Sequence, residues 1–159
     1  MKRRIIVGIS GARATIEYEM RRDPEEVKAL AAHVHEEKAL GDDIASGTFV
    51  TDGMVVAPCS VKTLSAIANS YNDNLIARAA DVCLKERRRL VLVVRETPLH
   101  AGHLALMQQA TQAGAVILPP VPGFYHRPQT IQDLLDHTVT KILDLFDLHV
   151  DLIHRWQGL

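Results

Sequence analysis

Hydroxyl and charged side chains follow two apolar runs of the sequence that have the length of buried strands. The first run, Met54–Ala57, leads into Pro58-Cys59-Ser60-Val61-Lys62-Thr63, after which helical spacing begins. The second run, Leu90–Val94, ends on the pair Arg95-Glu96. A strand that turns sharply into a helix presents free backbone N–H groups to an anion, and ligands of open parallel sheets bind beyond the carboxyl ends of the strands. The pattern therefore predicts a site for a phosphorylated ligand at these two strand ends.

Each of these groups also has a purely structural interpretation. Ser60 and Thr63 could be an N-cap and a helix hydroxyl, although Lys62 between them favours an anion site. Arg95 and Glu96 could form a solvated ion pair, but charges placed directly after an apolar strand favour a functional crevice.

Tyr125 and a histidine pair are the other candidates for chemistry. Tyr125 follows a stiff, proline-rich loop that would hold its ring outward, namely Pro119-Pro120-Val121-Pro122-Gly123. The ring could therefore bind a ligand, or it could belong to the core. His100 and His103 have the i, i+3 spacing that can place two imidazoles on one metal ion. Because no cysteine or third histidine completes a ligand set at suitable spacing, we expect no metal.

Composition limits the classes of protein to which the chain can belong. Its 159 residues suit one domain over residues 1–159, and 47% apolar with 23% charged residues is typical of a globular chain. The formal net charge of -1 gives no basis for nucleic-acid binding, and no apolar segment approaches the roughly 20 residues of a membrane span. The two cysteines, Cys59 and Cys83, have apolar neighbours, so we expect buried thiols and a reducing, cytoplasmic setting.

Repeated strand–loop–helix units must position these side chains. Ile5–Ile9 and Ala115–Leu118 are predicted to be further strands. Helices are predicted over 13–20, from Asp23 toward Gly41, over 63–69, 75–87 and 100–113, and from Thr130 to Phe146. The second of these would bury Val27, Leu30, Ala31 and Val34, and the last would bury Ile131, Leu134, Leu135, Val139, Ile142 and Phe146. Such units predict a three-layer α/β fold with a parallel sheet.

Six stretches of the sequence together resemble one protein family. They are Pro58–Leu64, Arg78–Val82, Leu84–Arg88, Val94–His100, Pro119–Pro128 and Arg155-Trp156-Gln157-Gly158. In this order they resemble the flavin prenyltransferases of the UbiX type, earlier described as phenylacrylic acid or 3-octaprenyl-4-hydroxybenzoate decarboxylases. The match runs from Ser46 to Gly158, and Ile5–Ala12 resembles the family's first strand and flavin-phosphate turn.

The resemblance implies a Rossmann-like, flavodoxin-type parallel sheet in a homo-oligomer, usually a dodecamer, with FMN bound between subunits and no metal. It implies a reaction in which a dimethylallyl group passes from dimethylallyl phosphate to N5 and C6 of reduced FMN. The product, prenylated FMN, would serve a partner UbiD-type decarboxylase in ubiquinone or aromatic-acid metabolism.

The resemblance also implies roles for individual residues. Those expected to hold FMN are Gly11, Ala12, Ser60, Val61, Lys62, Thr63 and Arg95. Tyr125 and Lys141 would hold the prenyl phosphate, with Arg78, Lys85 and Glu96 on the phosphate side. Glu19 matches a family glutamate near the reacting flavin edge, and we expect Glu19, Lys85 and Glu96 to be catalytic.

The sequence departs from the family pattern at two places. Lys141 occupies a position where the family normally has arginine. Lysine keeps the positive charge but cannot form the bidentate contact with phosphate that arginine forms. At the junction Gly11-Ala12-Arg13 the chain lacks one early helix–strand unit. This absence leaves open a non-catalytic FMN-binding or assembly subunit, and the shared flavin fold leaves open a flavin-dependent cysteine-decarboxylase relative.

Overall fold

Four apolar runs pair side by side as parallel strands in the order in which they occur in the sequence. The computed structural model describes residues 5–8 and 12–155, with side chains described from residue 16 onward. Within this part of the chain the strands are β1 (Ile5–Gly8), β2 (Gly53–Cys59), β3 (Arg89–Val94) and β4 (Val116–Ile117), and the sheet order is β1-β2-β3-β4. All three pairings are parallel, as the sequence predicted.

The strand order agrees with the loss of one early unit. A flavodoxin-type sheet has the order 2-1-3-4-5, and removing its second strand leaves the remaining four in sequence order. In the described sheet β1 pairs with β2, from Ile5 opposite Gly53 to Gly8 opposite Val56. The fold is therefore the predicted Rossmann-like sheet without that helix–strand unit.

Helices connect the strands, and all except the second lie close to their predicted positions. They are α1 (Ala12–Glu19), α2 (Pro24–Lys28), α3 (Val61–Ala68), α4 (Leu75–Lys85), α5 (Ala101–Ala113) and α6 (Ile131–Asp144), with a short 3₁₀ turn over Asp43–Ala45. Local signals account for their ends, because Asp23 and Thr130 cap α2 and α6 and Gly114 ends α5 in a left-handed conformation. Within the described residues no helix combines the length and apolar character needed to cross a bilayer.

Alternate residues of the central strands pack into two separate cores. Met54, Val56, Leu90, Leu92 and Val94 face the larger core, which α3, α4 and α5 complete. Val55, Val91 and Val93 face the smaller core, which Ile142 of α6 and Phe146 complete. Side chains alternate across a strand, so the sheet is covered on both faces and the three-layer prediction is confirmed.

Both cysteines belong to these buried layers as free thiols. Burial raises the pKa of Cys59 to about 12 and that of Cys83 to about 11. Each side chain therefore stays protonated and behaves as a small apolar residue at neutral pH.

Two predicted apolar faces were wrong. The helix after Asp23 ends at Lys28, and Leu30 and Val34 are 82% and 51% exposed, because a short helix needs a packing partner that these residues lack. On α6, Ile131, Leu135 and Val139 form an exposed stripe, while His137 and Thr140 are buried. The helix therefore packs through a narrower edge than its sequence suggested.

Gly53, at the start of β2, provides a test of the sheet packing. Its φ of 155° disfavours other residues, and an added Cβ would lie 2.6 Å from Cε1 of Phe146 and against the carbonyl oxygen of Arg89. We expect Gly53→Ala to lower the free energy of unfolding by about 3 kcal/mol, and Gly41→Ala, which meets nothing within 4 Å, to change it by less than about 0.5 kcal/mol. Urea unfolding measures both, and equal midpoints for the two variants would contradict this packing.

Candidate functional site

The carboxyl ends of β2 and β3 lie side by side at one edge of the sheet. Cys59 pairs with Val94, and the backbone N–H of Arg95 donates to the carbonyl oxygen of Cys59 at 3.3 Å. The ladder therefore places Ser60, the residue after Cys59, next to Arg95. These are the two strand ends to which the sequence assigned a phosphorylated ligand.

Ser60 is the N-cap of α3. Its Oγ accepts from the backbone N–H of Thr63 at 3.2 Å and lies 3.1 Å from the Thr63 hydroxyl. Thr63 is buried, whereas Ser60 and Lys62 are exposed. The structural interpretation therefore holds for both hydroxyls, yet the first N–H groups of a helix have no acceptor within it and remain suited to an anion.

The charged pair after β3 faces solvent. The carboxylate of Glu96 accepts from the backbone N–H of Thr97 at 3.0 Å, and the Arg95 side chain is exposed. In the described part of the chain these two side chains form no ion pair with each other. The exposed Arg95 therefore follows β3 beside the strand end that leads into α3, and a cation near a helix amino terminus suits an anionic group.

A second group of candidates surrounds a cavity of about 520 Å³ on α4. The cavity is lined by Ala45, Ser46, Gly47, Thr48, Arg78, Lys85 and Glu86. Arg78 Nε donates to the carbonyl oxygen of Ala45 at 3.0 Å, and Lys85 contacts the carboxylate of Glu86. Arg78 and Lys85, which are seven residues apart, therefore share one face of α4 as predicted.

The loop opposite α4 was missed as part of a candidate site. Ser46 and Thr48 hydroxyls lie 2.8 Å apart, and Arg88 fixes the loop by donating to the carbonyl oxygens of Phe49 at 2.8 Å and Gly47 at 2.6 Å. The sequence showed only a polar segment containing glycine. The feature that could have identified this loop is a glycine between two hydroxyl residues, because a glycine lets the backbone approach an anion closely.

One chain does not bring Lys85 to the edge that carries Arg95. Lys85 ends α4 shortly before β3 begins at Arg89, so it lies near the amino-terminal edge of the sheet. Arg95 follows the other end of that strand, and six strand residues span about 20 Å. Arg78 and Lys85 therefore form a group separate from Ser60, Lys62 and Arg95.

Tyr125 and Lys141 belong to a third group, joined by a histidine. The Tyr125 hydroxyl lies 2.6 Å from Nε2 of His137, which is one helical turn before Lys141 on α6. His126 stacks on His137 with ring centroids 4.7 Å apart. Burial, followed by the charges of His126 and Lys141, lowers the pKa of His137. Neither histidine was singled out from the sequence.

The remaining candidates lie at the start of the described chain or outside it. Gly11 lies outside the described residues, as do Ile9 and Trp156-Gln157-Gly158. Ala12 is the first residue of α1, and Glu19 is its exposed last residue. His100 caps α5 by accepting from the N–H of Gly102 at 3.0 Å, and within the described residues no three His, Cys, Asp or Glu side chains are grouped to hold a metal.

Known proteins resemble this chain in sequence and in structure. A sequence profile described as Flavoprotein matches residues 20–143. A protein named Flavin prenyltransferase UbiX from Thauera aromatica is 58% identical over 153 residues, which are 96% of this chain and 79% of that protein.

Two crystal structures superpose closely on the chain. AnUbiX (PadA1) in complex with FMN and dimethylallyl pyrophosphate has a TM-score of 0.98 at 44% identity, with 100% of each chain covered. A dodecameric FMN-dependent Ubix-like decarboxylase from Escherichia coli O157:H7 has a TM-score of 0.93 at 44% identity, with 98% of this chain and 84% of that chain covered.

The buried histidine makes stability depend on pH in a defined direction. Because the pKa of His137 is lowered in the folded chain, the unfolded chain binds this proton more readily. The contribution of the neutral imidazole is therefore complete above about pH 6.5 and is lost as the pH falls below that ordinary value. We expect His137→Gln, which cannot titrate, to lose less unfolding free energy than the unaltered protein between about pH 7.5 and pH 5.5. Urea unfolding at both pH values measures this, and equal losses would contradict it.

Proposed function

Because the chain belongs to the flavin prenyltransferases of the flavoprotein family, we propose that it joins the dimethylallyl group of dimethylallyl phosphate to reduced FMN. Reduced FMN supplies N5 and C6 as the positions that receive the group, and phosphate is released. The product, prenylated FMN, would serve a UbiD-type decarboxylase in ubiquinone or aromatic-acid metabolism. We further propose that residues 1–159 act as one flavoprotein domain, and the buried free thiols support a reducing, cytoplasmic setting.

The juxtaposition of Ser60 and Arg95 at the ends of β2 and β3 carries this proposal. FMN has an anionic phosphate and a polar ring edge, and this edge of the sheet offers a helix amino terminus, an exposed lysine and an exposed arginine. These groups fit the cofactor. The residues proposed to hold it are Gly11, Ala12, Ser60, Val61, Lys62, Thr63 and Arg95.

The prenyl phosphate requires the other two groups. Tyr125 and Lys141 offer a hydroxyl and a cation, and Arg78 and Lys85 offer two more cations on α4. Cations that converge on a phosphate stabilise the charge that develops as it leaves, and exclusion of water protects an allylic cation. We assign Lys85 to the leaving phosphate, and Glu19 and Glu96 to the proton transfers. N5 and C6 would each lose a proton as the new bonds form, and one proton would add to the prenyl double bond, so that one proton in total leaves with the phosphate.

A complete site requires more than one copy of this chain. Lys85 and Arg95 belong to opposite edges of one sheet, so groups from two subunits would have to meet around the ligands. Exposed apolar residues suitable for a subunit interface lie beside the Tyr125 group; they are Val121, Phe124, Ile131, Leu135 and Val139. We propose a homo-oligomer, and the dodecameric structure from Escherichia coli supports an assembly of twelve subunits.

One alternative function is that of a protein with the same fold that does not catalyse the prenyl transfer. The missing helix–strand unit leaves β1 with one described neighbour, which supports a non-catalytic FMN-binding or assembly subunit as the second candidate. A cysteine-decarboxylase relative is disfavoured, because the proteins more than half identical to this chain are named as flavin prenyltransferases.

Mass spectrometry of the flavin separates these functions. After incubation with reduced FMN and dimethylallyl phosphate, we expect the flavin to gain one isoprenoid unit. Lys85→Met should lower the rate at least about a hundredfold, since removal of one group that stabilises transition-state charge commonly costs that much. Lys38→Met, the same change at an exposed lysine outside the three groups, should leave the rate unchanged.

Three results would count against the proposal. Bound but unmodified FMN with the unaltered protein would favour the non-catalytic alternative. Failure to bind FMN at all would remove both candidates. Equal rates for the two lysine variants would exclude Lys85 from the reaction.

A further inference from the structure

An exposed tyrosine is anchored on a buried histidine. Tyr125 is 57% exposed, whereas His137, whose Nε2 lies 2.6 Å from the Tyr125 hydroxyl, is 8% exposed. The two residues come from different elements, since Tyr125 belongs to the loop after β4 and His137 to α6. A single strong hydrogen bond therefore ties a loop side chain to the packed body of the protein.

The rings around His137 restrict the angle of this hydrogen bond. Tyr125 meets the imidazole edge-on, with centroids 5.5 Å apart and planes at 79°. His126 stacks on the same imidazole within 5° of parallel. Gly123 allows the approach, because an added Cβ would lie 3.1 Å from Cε1 of Tyr125 and 3.7 Å from Cε1 of His137.

Burial and neighbouring charges favour the neutral form of the His137 imidazole. Burial comes first, followed by the charges of His126 on the loop and Lys141 on α6, and together they lower the pKa of His137. The carboxylate of Asp133 on α6 accepts from the backbone N–H groups of Gln129 and Thr130, and these contacts, with a smaller contribution from His126, lower the pKa of Asp133. A neutral imidazole carries one N–H donor and one acceptor nitrogen.

This neutrality decides what Tyr125 can offer to a ligand. A phenol has one proton, and the same proton cannot be donated both to Nε2 and to a phosphate oxygen. When the hydroxyl turns toward phosphate, a neutral imidazole with its proton on Nε2 can donate to the phenol oxygen instead. The ring is then held by the same contact while its O–H is free for the ligand.

We propose that His137, with His126 stacked on it, is a positioning residue that aims the Tyr125 hydroxyl at the phosphate of the prenyl substrate. The inference rests on the proposed function, which assigns Tyr125 and Lys141 to that phosphate. This positioning role is more important in this chain than it would be with arginine at position 141. Lysine supplies only a point charge there, whereas arginine has a fixed fork of donors that orients a phosphate by itself. Orientation at the phosphate then depends on Tyr125.

Steady-state kinetics of five variants test the coupling between the two side chains. His137→Leu should raise KM for dimethylallyl phosphate about tenfold, while the Kd of FMN stays unchanged. His137→Gln should restore most of the loss, because an amide can accept from the phenol or donate to it. Tyr125→Phe should raise KM by a similar factor, and Tyr125→Phe/His137→Leu should be no worse than Tyr125→Phe alone. His33→Leu, at an exposed histidine, is the matched control and should leave KM unchanged.

Additive losses in the double variant would overturn the inference, because His137 would then act independently of Tyr125. The inference would also be overturned if His137→Leu and His137→Gln lost FMN affinity to the same extent and had equally lowered melting temperatures. That result would indicate that the histidine has a purely structural role.

A crystal structure of His137→Leu keeps the test separate from the proposed function. We expect the Tyr125 ring to leave its position or to occupy several conformers. An unmoved ring would overturn the inference even if the unaltered protein prenylates FMN. If the unaltered protein makes no prenylated FMN, the proposed function fails, and the position of the ring still decides whether His137 sets it.

Discussion

The parallel ladder between β2 and β3 is the constraint on which the candidate site depends. Buried apolar side chains of both strands alternate between two cores, so a shift by one residue would exchange side chains of different volume between closely packed layers. The regular ladder runs to Val56 opposite Leu92, and a register shift between Val56 and Cys59 then sets Cys59 opposite Val94, which places Ser60 beside Arg95. The strand end that leads into α3 and the residue Arg95 are therefore neighbours because of this register and its irregularity.

The other side chains that we propose for phosphate binding lie away from that edge. Arg78 and Lys85 belong to a cavity formed with the 45–48 loop, and Tyr125 and Lys141 belong to the loop and helix that cover the opposite side of the sheet. The separation of these three groups and the exposed apolar stripe on α6 are the observations on which the proposed assembly with further copies rests. The reaction would then occur where the surfaces of two subunits exclude water.

Local signals predicted much of this fold, and long-range packing explains what they missed. Strands β2 and β3 and the helix starts after Asp23 and Thr130 depend on neighbouring residues, and each was predicted correctly. Leu30 and Val34 were placed in a helix by their spacing, although both are largely exposed and the described part of the chain does not bury them. His137 was missed because its partner Tyr125 lies 12 residues earlier, separated from α6 by the loop 126–130, whose path no spacing rule gives. The 46–48 loop was missed for the same reason, since Arg88 reaches it across some 40 residues of sequence.

Crystals of the protein with FMN and dimethylallyl phosphate give the most direct test of the central claim. The account predicts FMN across the ends of β2 and β3, in contact with Ser60–Thr63 and Arg95, and the prenyl phosphate bounded by Tyr125 of one subunit and Lys85 of another. FMN bound elsewhere, or both ligands enclosed by a single chain without a contribution from a second, would contradict it.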